Sequence, residues 1–154
     1  MMPVWAEVEE HFAHDGAWRD IIVPDSGPAE WQLFLAAVGA GFWKFEYLVD
    51  GERKPLPTSV GELSHDNQRL LRIGVLASGL NCHLWTDSEM ELDFIPTDVS
   101  GQSDLDDLGE FCIRLASTVG KSVAVTYENF HDAAILKYSP DGQAEYVGKG
   151  LSNG

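Results

Sequence analysis

The feature that most narrows what this chain can fold into is a pair of short runs with strict apolar–polar alternation, Leu80 to Trp85 and Glu89 to Phe94, separated by Thr86, Asp87 and Ser88. Side chains on a strand switch faces at every residue, so each run has one apolar and one polar side. Leu80, Cys82 and Leu84 form one apolar row, and Met90, Leu92 and Phe94 form the other. A turn at 86–88 sets Trp85 opposite Glu89, His83 opposite Glu91 and Asn81 opposite Asp93, with paired β-carbons roughly 5 Å apart. In that register both apolar rows face the same side, and a slip of one residue would expose them all. The stretch from Arg72 to Pro96 is therefore expected to form the centre of a sheet. Gly74 and Gly79 would mark a bulge, a turn or close backbone packing.

Two segments switch to helical periodicity. Trp31, Phe34, Leu35 and Val38 follow an i, i+3, i+4, i+7 pattern, which predicts a helix over 27–39. Asp25 or Ser26 would cap it, Pro28 would lie in its first turn, and Gly39 or Gly41 would end it. Leu105, Leu108, Cys112, Leu115 and Val119 mark a second helix over 103–120. Here Ser103 is the expected cap, Asp104, Asp106 and Asp107 occupy the electropositive first turn, and Gly120 stops the helix. That placement explains the DLDD acid cluster structurally.

The remaining segments read in chain order. Residues 1–16 form an N-terminal helix or docked arm, with Trp5, Val8 and Phe12 on one side. Residues 18–24 and 42–49 read as strands. Asp50-Gly51 signals a turn into a short edge strand over 52–57 that its prolines keep from extending. Ser59 and Glu62 have capping-box spacing for a turn or two of helix. Val123, Val125 and Tyr127 alternate as a strand, and Ser139-Pro140-Asp141-Gly142 marks a later hairpin turn. A frayed tail is expected over 148–154. The expected fold is α+β: one domain over 1–154, with two layers and a mostly antiparallel sheet of roughly five to seven strands. The helices near 27–39 and 103–119 would pack on one face of that sheet.

Charge restricts function. The chain carries 25 Asp and Glu against 10 Lys and Arg, a formal net charge of −15. Such a field repels nucleic acid and anionic membrane surfaces, and attracts cations and basic proteins. The charge is also uneven. Residues 73–113 contain no Lys or Arg, so 9 of the 15 net negative charges fall in 41 of the 154 residues. Lys44, Arg53 and Lys54 form the one dense basic spot, a candidate contact for the acidic face of a second copy in a homo-oligomer. No run approaches the roughly 20 apolar residues of a membrane span, and nothing before Trp18 has the apolar core of a signal peptide. With two cysteines, Cys82 and Cys112, both on apolar faces, the chain reads as cytoplasmic with reduced, structural thiols.

Catalytic and cofactor motifs are missing. The sequence contains no GxGxxG, GxxxxGK[ST], HExxH, CxxC or GxSxG. Cys82 and His83 cannot act together, because adjacent strand residues point to opposite faces. No cofactor is implied, and the chain reads as a binding protein rather than an enzyme. The expected contact surface comprises Asn81, His83, Trp85, Glu89, Glu91 and Asp93 with Asp104 and Asp107 of the second helix. Trp85 would be an aromatic anchor within a ring of acids that docks a basic partner protein. Bacterial immunity proteins that neutralise toxins, and secretion chaperones, are similar to this chain in size and charge alone. The alternative is a small-ligand or divalent-metal protein, or an enzyme, using His83, Glu91 and Asp93. Against that, carboxylates at i and i+2 on an open strand lie about 7 Å apart, too far for one ion without curvature.

Overall fold

A computed structural model describes residues 2–62, 68–83 and 89–151. Its frame is an antiparallel sheet of nine strands: β1 (Arg19–Val23), β2 (Phe45–Val49), β3 (Glu52–Arg53), β4 (Arg69–Ile73), β5 (Leu80–His83), β6 (Met90–Phe94), β7 (Val123–Tyr127), β8 (Phe130–Tyr138) and β9 (Ala144–Tyr146). Across the sheet they run β3-β2-β4-β5-β6-β1-β7-β8-β9. The expected five to seven strands were too few. Both edge strands, β3 and β9, are only two and three residues long, too short to leave a periodic signal. Short edges also limit the backbone groups offered to another chain.

The register inferred for the hairpin holds at Asn81 opposite Asp93 and Cys82 opposite Leu92, whereas the side chain of His83, expected opposite Glu91, meets Asp93 instead. Leu84, Trp85 and the turn at 86–88 lie outside the described residues. Gly79 is needed at the entry to β5. Its φ is +82°, and an added Cβ would meet Arg72 Cγ at 2.9 Å and the Ile73 carbonyl oxygen at 3.1 Å.

β1 explains why the order could not be read along the chain. It lies between β6 and β7 and pairs antiparallel with both, although neither is its sequence neighbour. All five residues of RDIIV are buried. A strand flanked on both edges and buried at every residue loses the alternation that marks a half-exposed one.

Among the described residues three α-helices accompany the sheet: α1 (Trp5–Val8), α2 (Pro28–Gly39) and α3 (Gln102–Val119). α3 touches β7 and β8, and α2 touches α3. Their apolar stripes join Ile21, Val23, Leu92, Phe94, Val123 and Val125 in one core that also takes Val8 and Phe12 of the N-terminal segment.

Both helix caps differ from expectation. α2 begins at Gly27, whose N–H donates to Glu30 Oε1 at 2.8 Å. Ser26 is buried instead, donating to the Val23 carbonyl and accepting from Met90 N–H, both at 2.7 Å, and so ties β1 to β6. α3 starts after Gly101, with no side-chain cap bond there and Ser103 already inside the helix. Asp104 turns back to accept from Ser100 N–H and Oγ–H at 3.1 and 3.0 Å. Gly120 ends α3 in the left-handed conformation, φ 71°, as its position implied.

The N-terminal segment is fastened by a polar network within the core. Arg19 is fully buried, and pairs with Asp15 at 2.9 Å. His11 is likewise buried, with Nδ1 2.5 Å from Tyr127 Oη and Nε2 2.8 Å from Tyr146 Oη. Burial lowers the pKa of His11, with Arg19 adding to the effect and Glu10 opposing it. Val147 and Gly148 both donate to the Ile135 carbonyl, keeping the chain against β8.

Candidate functional site

The strand registers assemble a polar row across the face opposite Ile21, Leu92 and Val125. Glu46 lies opposite Arg72, Arg72 opposite Asn81, Asn81 opposite Asp93, Asp93 opposite Asp20, and Asp20 opposite Thr126. On the β2 side this row is compensated. Arg72 Nη1 donates to Glu46 Oε1 at 3.0 Å, Arg72 Nε reaches Asn81 Oδ1 at 3.4 Å, and Asn81 Nδ2 donates to Asp93 Oδ1 at 3.2 Å. The basic spot is compensated too, with Arg53 paired to Glu46 at 2.5 Å and Lys54 to Glu52 at 3.4 Å.

Toward β1 the balance fails. Asp93 and Asp20 are directly opposed, an arrangement that destabilises a sheet when both carry charge. Glu91, two residues from Asp93 and opposite Ile22, projects on the same side. Asp20 is only 2% exposed. Its Oδ2 accepts from Asn129 N–H at 3.0 Å, with Asn129 itself in a left-handed turn, φ 64°.

His131 completes the group because β8 is irregular. Thr126 faces Ala134 while Tyr127 faces Phe130, so residues 131–133 are extra on β8. Such a bulge re-aims the side chains it carries. His131 reaches back over β7 and places Nε2 3.1 Å from Asp20 Oδ2 and 3.8 Å from Glu91 Oε1, with Nδ1 3.8 Å from Glu89 Oε1. One ligand atom each from Asp20, Glu91 and His131 lies within 4.8 Å of the others. His83 joins a different acid, Asp93, at 3.4 Å. Among the described residues, the ion pairs of Asp20, Glu89, Glu91 and Asp93 are all with histidines.

The expected surface residues thus separate. Glu89 and Glu91 meet His131, Asn81 and His83 meet Asp93, and Trp85 lies outside the described residues. Asp104 is engaged by Ser100, and Asp107 lies in a cleft with Phe42, Trp43 and Arg114; neither belongs to the histidine-carboxylate group. Sequence reading missed Asp20 and His131. The one available signal for Asp20 was an acid directly before the apolar run Ile21, Ile22 and Val23. Cys82 and Cys112 are buried, and burial pushes both thiols far up, with Asp93 and Glu91 adding to the effect at Cys82. Neither thiol is poised as a nucleophile.

Partial burial raises the pKa of Glu91; the charge of Asp20 and a hydrogen bond with it add to the effect, and His131 opposes it. The folded state therefore binds this proton more tightly than the unfolded chain does. Stability falls as pH rises from the ordinary carboxylate value through the raised one. Glu91→Gln, which keeps the shape without the charge, is expected to raise Tm at pH 7 and to give no gain near pH 4. The gain would be at most about 1 kcal/mol, because solvent screens a half-exposed group. Thermal melts at both pH values check this, and an equal shift at each would argue against it.

Comparison with protein-family models, curated proteins and solved structures finds no match to this chain.

Proposed function

We propose that this chain is a non-enzymatic binding protein that docks a basic partner protein on the polar face of its central strands. The observation that carries this is the group Asp20, Glu89, Glu91 and Asp93, whose ionic partners among the described residues are all histidines. Glu89 and Glu91 are 42% and 44% exposed, so a partner's guanidinium or ammonium groups can reach them. On this reading α2 and α3 form a second layer on the apolar side and leave this face open. Supporting that layering are the contacts of α3 with β7 and β8 and of α2 with α3. Asn81, His83 and Trp85 would form the rest of the contact on the sheet, with Asp104 and Asp107 on α3 adding to the acidic field. Two free, buried cysteines fit a reducing, cytoplasmic setting, and no described helix is long and apolar enough to cross a membrane.

Opposed charge of this kind speeds encounter and makes association sensitive to salt. Affinity capture from source lysate should retain a basic protein on the wild type at low salt. Retention should fall at least roughly tenfold at high salt or with Glu89→Ala/Glu91→Ala/Asp93→Ala. Retention indifferent to both changes, or no basic protein retained, would overturn the reading.

A further inference from the structure

We propose that Asp20, Glu91 and His131 together bind a divalent transition-metal ion on the polar face of the sheet. The inference stands on the geometry of these three side chains and is independent of partner docking. It replaces the ligand set suggested by linear spacing, since His83 meets Asp93 and neither offers a ligand atom to the three that converge.

The donor atoms come from three strands, β1, β6 and β8, and lie within 4.8 Å of one another. An ion bound at about 2.0–2.2 Å from each donor spans up to about 4.4 Å between opposite ligands, so small side-chain rotations bring all three into contact. The donor chemistry selects the metal. One imidazole nitrogen with two carboxylate oxygens suits Zn²⁺, Mn²⁺ or Fe²⁺, whereas Mg²⁺ and Ca²⁺ prefer oxygen throughout.

The surroundings have the features of a supported site. Asp20 is fixed by Asn129 N–H. Nε2 is the nitrogen of His131 that faces both Asp20 and Glu91, while Nδ1 faces Glu89 Oε1 at 3.8 Å. Glu89 lies on the Nδ1 side beyond hydrogen-bond distance, and a small rotation would bring it close enough to orient the ring as an outer-shell carboxylate does in metal sites.

Electrostatics favour the same occupant. A 2%-exposed carboxylate has no Lys or Arg partner among the described residues, and the only cation that can form beside it is an imidazolium. One imidazolium offsets one of the two carboxylates. A dication offsets both.

The test is titration calorimetry of metal-free, full-length protein with Zn²⁺ and Mn²⁺, and with Mg²⁺ for comparison. Asp20→Asn carries a folding risk because the residue is buried, so Glu91→Gln and His131→Gln are the informative variants and His83→Gln is the control. Wild type should bind one Zn²⁺ or Mn²⁺ per chain, much more tightly than Mg²⁺. Partners outside the ligand shell are typically worth about 10–100-fold in metal affinity, so losing a ligand should weaken binding at least about tenfold. His83→Gln should leave affinity unchanged. Circular dichroism must show Glu91→Gln and His131→Gln folded, which separates lost ligation from lost structure. The proposal is overturned if wild type shows no saturable site, if the two ligand variants bind as wild type does, or if His83→Gln weakens binding equally. Capture of a basic protein in the presence of a chelator reports on docking alone, so the two readings can fail separately.

Discussion

Phe94→Ala is expected to destabilise the fold by about 4 kcal/mol, the largest effect of any single change considered. Phe94 is 0% exposed on the central strand β6, where its ring stacks on Phe12 at 6.4 Å between centroids with an interplanar angle of 24°. Truncation removes apolar burial and leaves a cavity that neighbouring strands, held by their ladder hydrogen bonds, cannot close; large aromatic-to-alanine changes in cores cost about 3–5 kcal/mol. It also removes the surface on which the N-terminal segment rests. The urea midpoint should therefore fall with little change in slope, and residues 5–12 should lose amide protection first. Phe130→Ala offers the contrast. That side chain is 68% exposed, and its loss should move stability by no more than about 0.5 kcal/mol. Equal effects of the two substitutions would show that the core is misassigned around β6.

The second large effect is expected at Arg19, a charge within the apolar core. Arg19 lies on the same side of β1 as Ile21 and Val23, and is backbone-paired with Phe94 on one flank and Tyr127 on the other. Each nitrogen of its guanidinium is hydrogen-bonded. Nε donates to the His11 carbonyl at 2.8 Å, Nη1 to the Trp18 carbonyl at 3.1 Å, and Nη2 to Asp15 Oδ2 at 2.9 Å. The group also lies 4.5 Å over the Tyr127 ring. Deleting one partner of a buried pair costs about 3–5 kcal/mol, because the other charge is left stranded. For Arg19→Met the loss should fall near 3 kcal/mol, since Asp15 keeps 14% exposure and can turn to water. Asp15→Asn should also destabilise the fold, because Arg19 has no exposure and no such escape. Chemical denaturation of both variants tests the account. Two changes each under about 1 kcal/mol would mean that hydrophobic packing, not the ion pair, holds the N-terminal segment.

The parts of this protein legible from sequence are those where one face of an element meets water. β5 and β6 alternate, so their apolar and polar sides and their mutual register could be read directly, and Asn81 does face Asp93. The stripes Trp31, Phe34, Leu35, Val38 and Leu105, Leu108, Cys112, Leu115 are buried as helical periodicity required. Caps were less legible, because glycines at 27 and 101 begin both long helices. The serines that resemble caps are used elsewhere, Ser26 as a buried bridge between β1 and β6.

Local sequence determined which residues could lie in a strand or a helix and which side of each would be apolar, because periodicity is a property of neighbouring side chains. It also determined the strong negative charge. Which strands lie side by side was decided only in the tertiary structure. Inserting β1 between β6 and β7 brings Asp20 against Asp93 and near Glu91, and the irregularity of β8 delivers His131 from 111 residues away in sequence. That juxtaposition depends on burying RDIIV on both faces. A strand buried at every residue satisfies its backbone by pairing on both edges, yet its sequence carries no mark of which strands those will be.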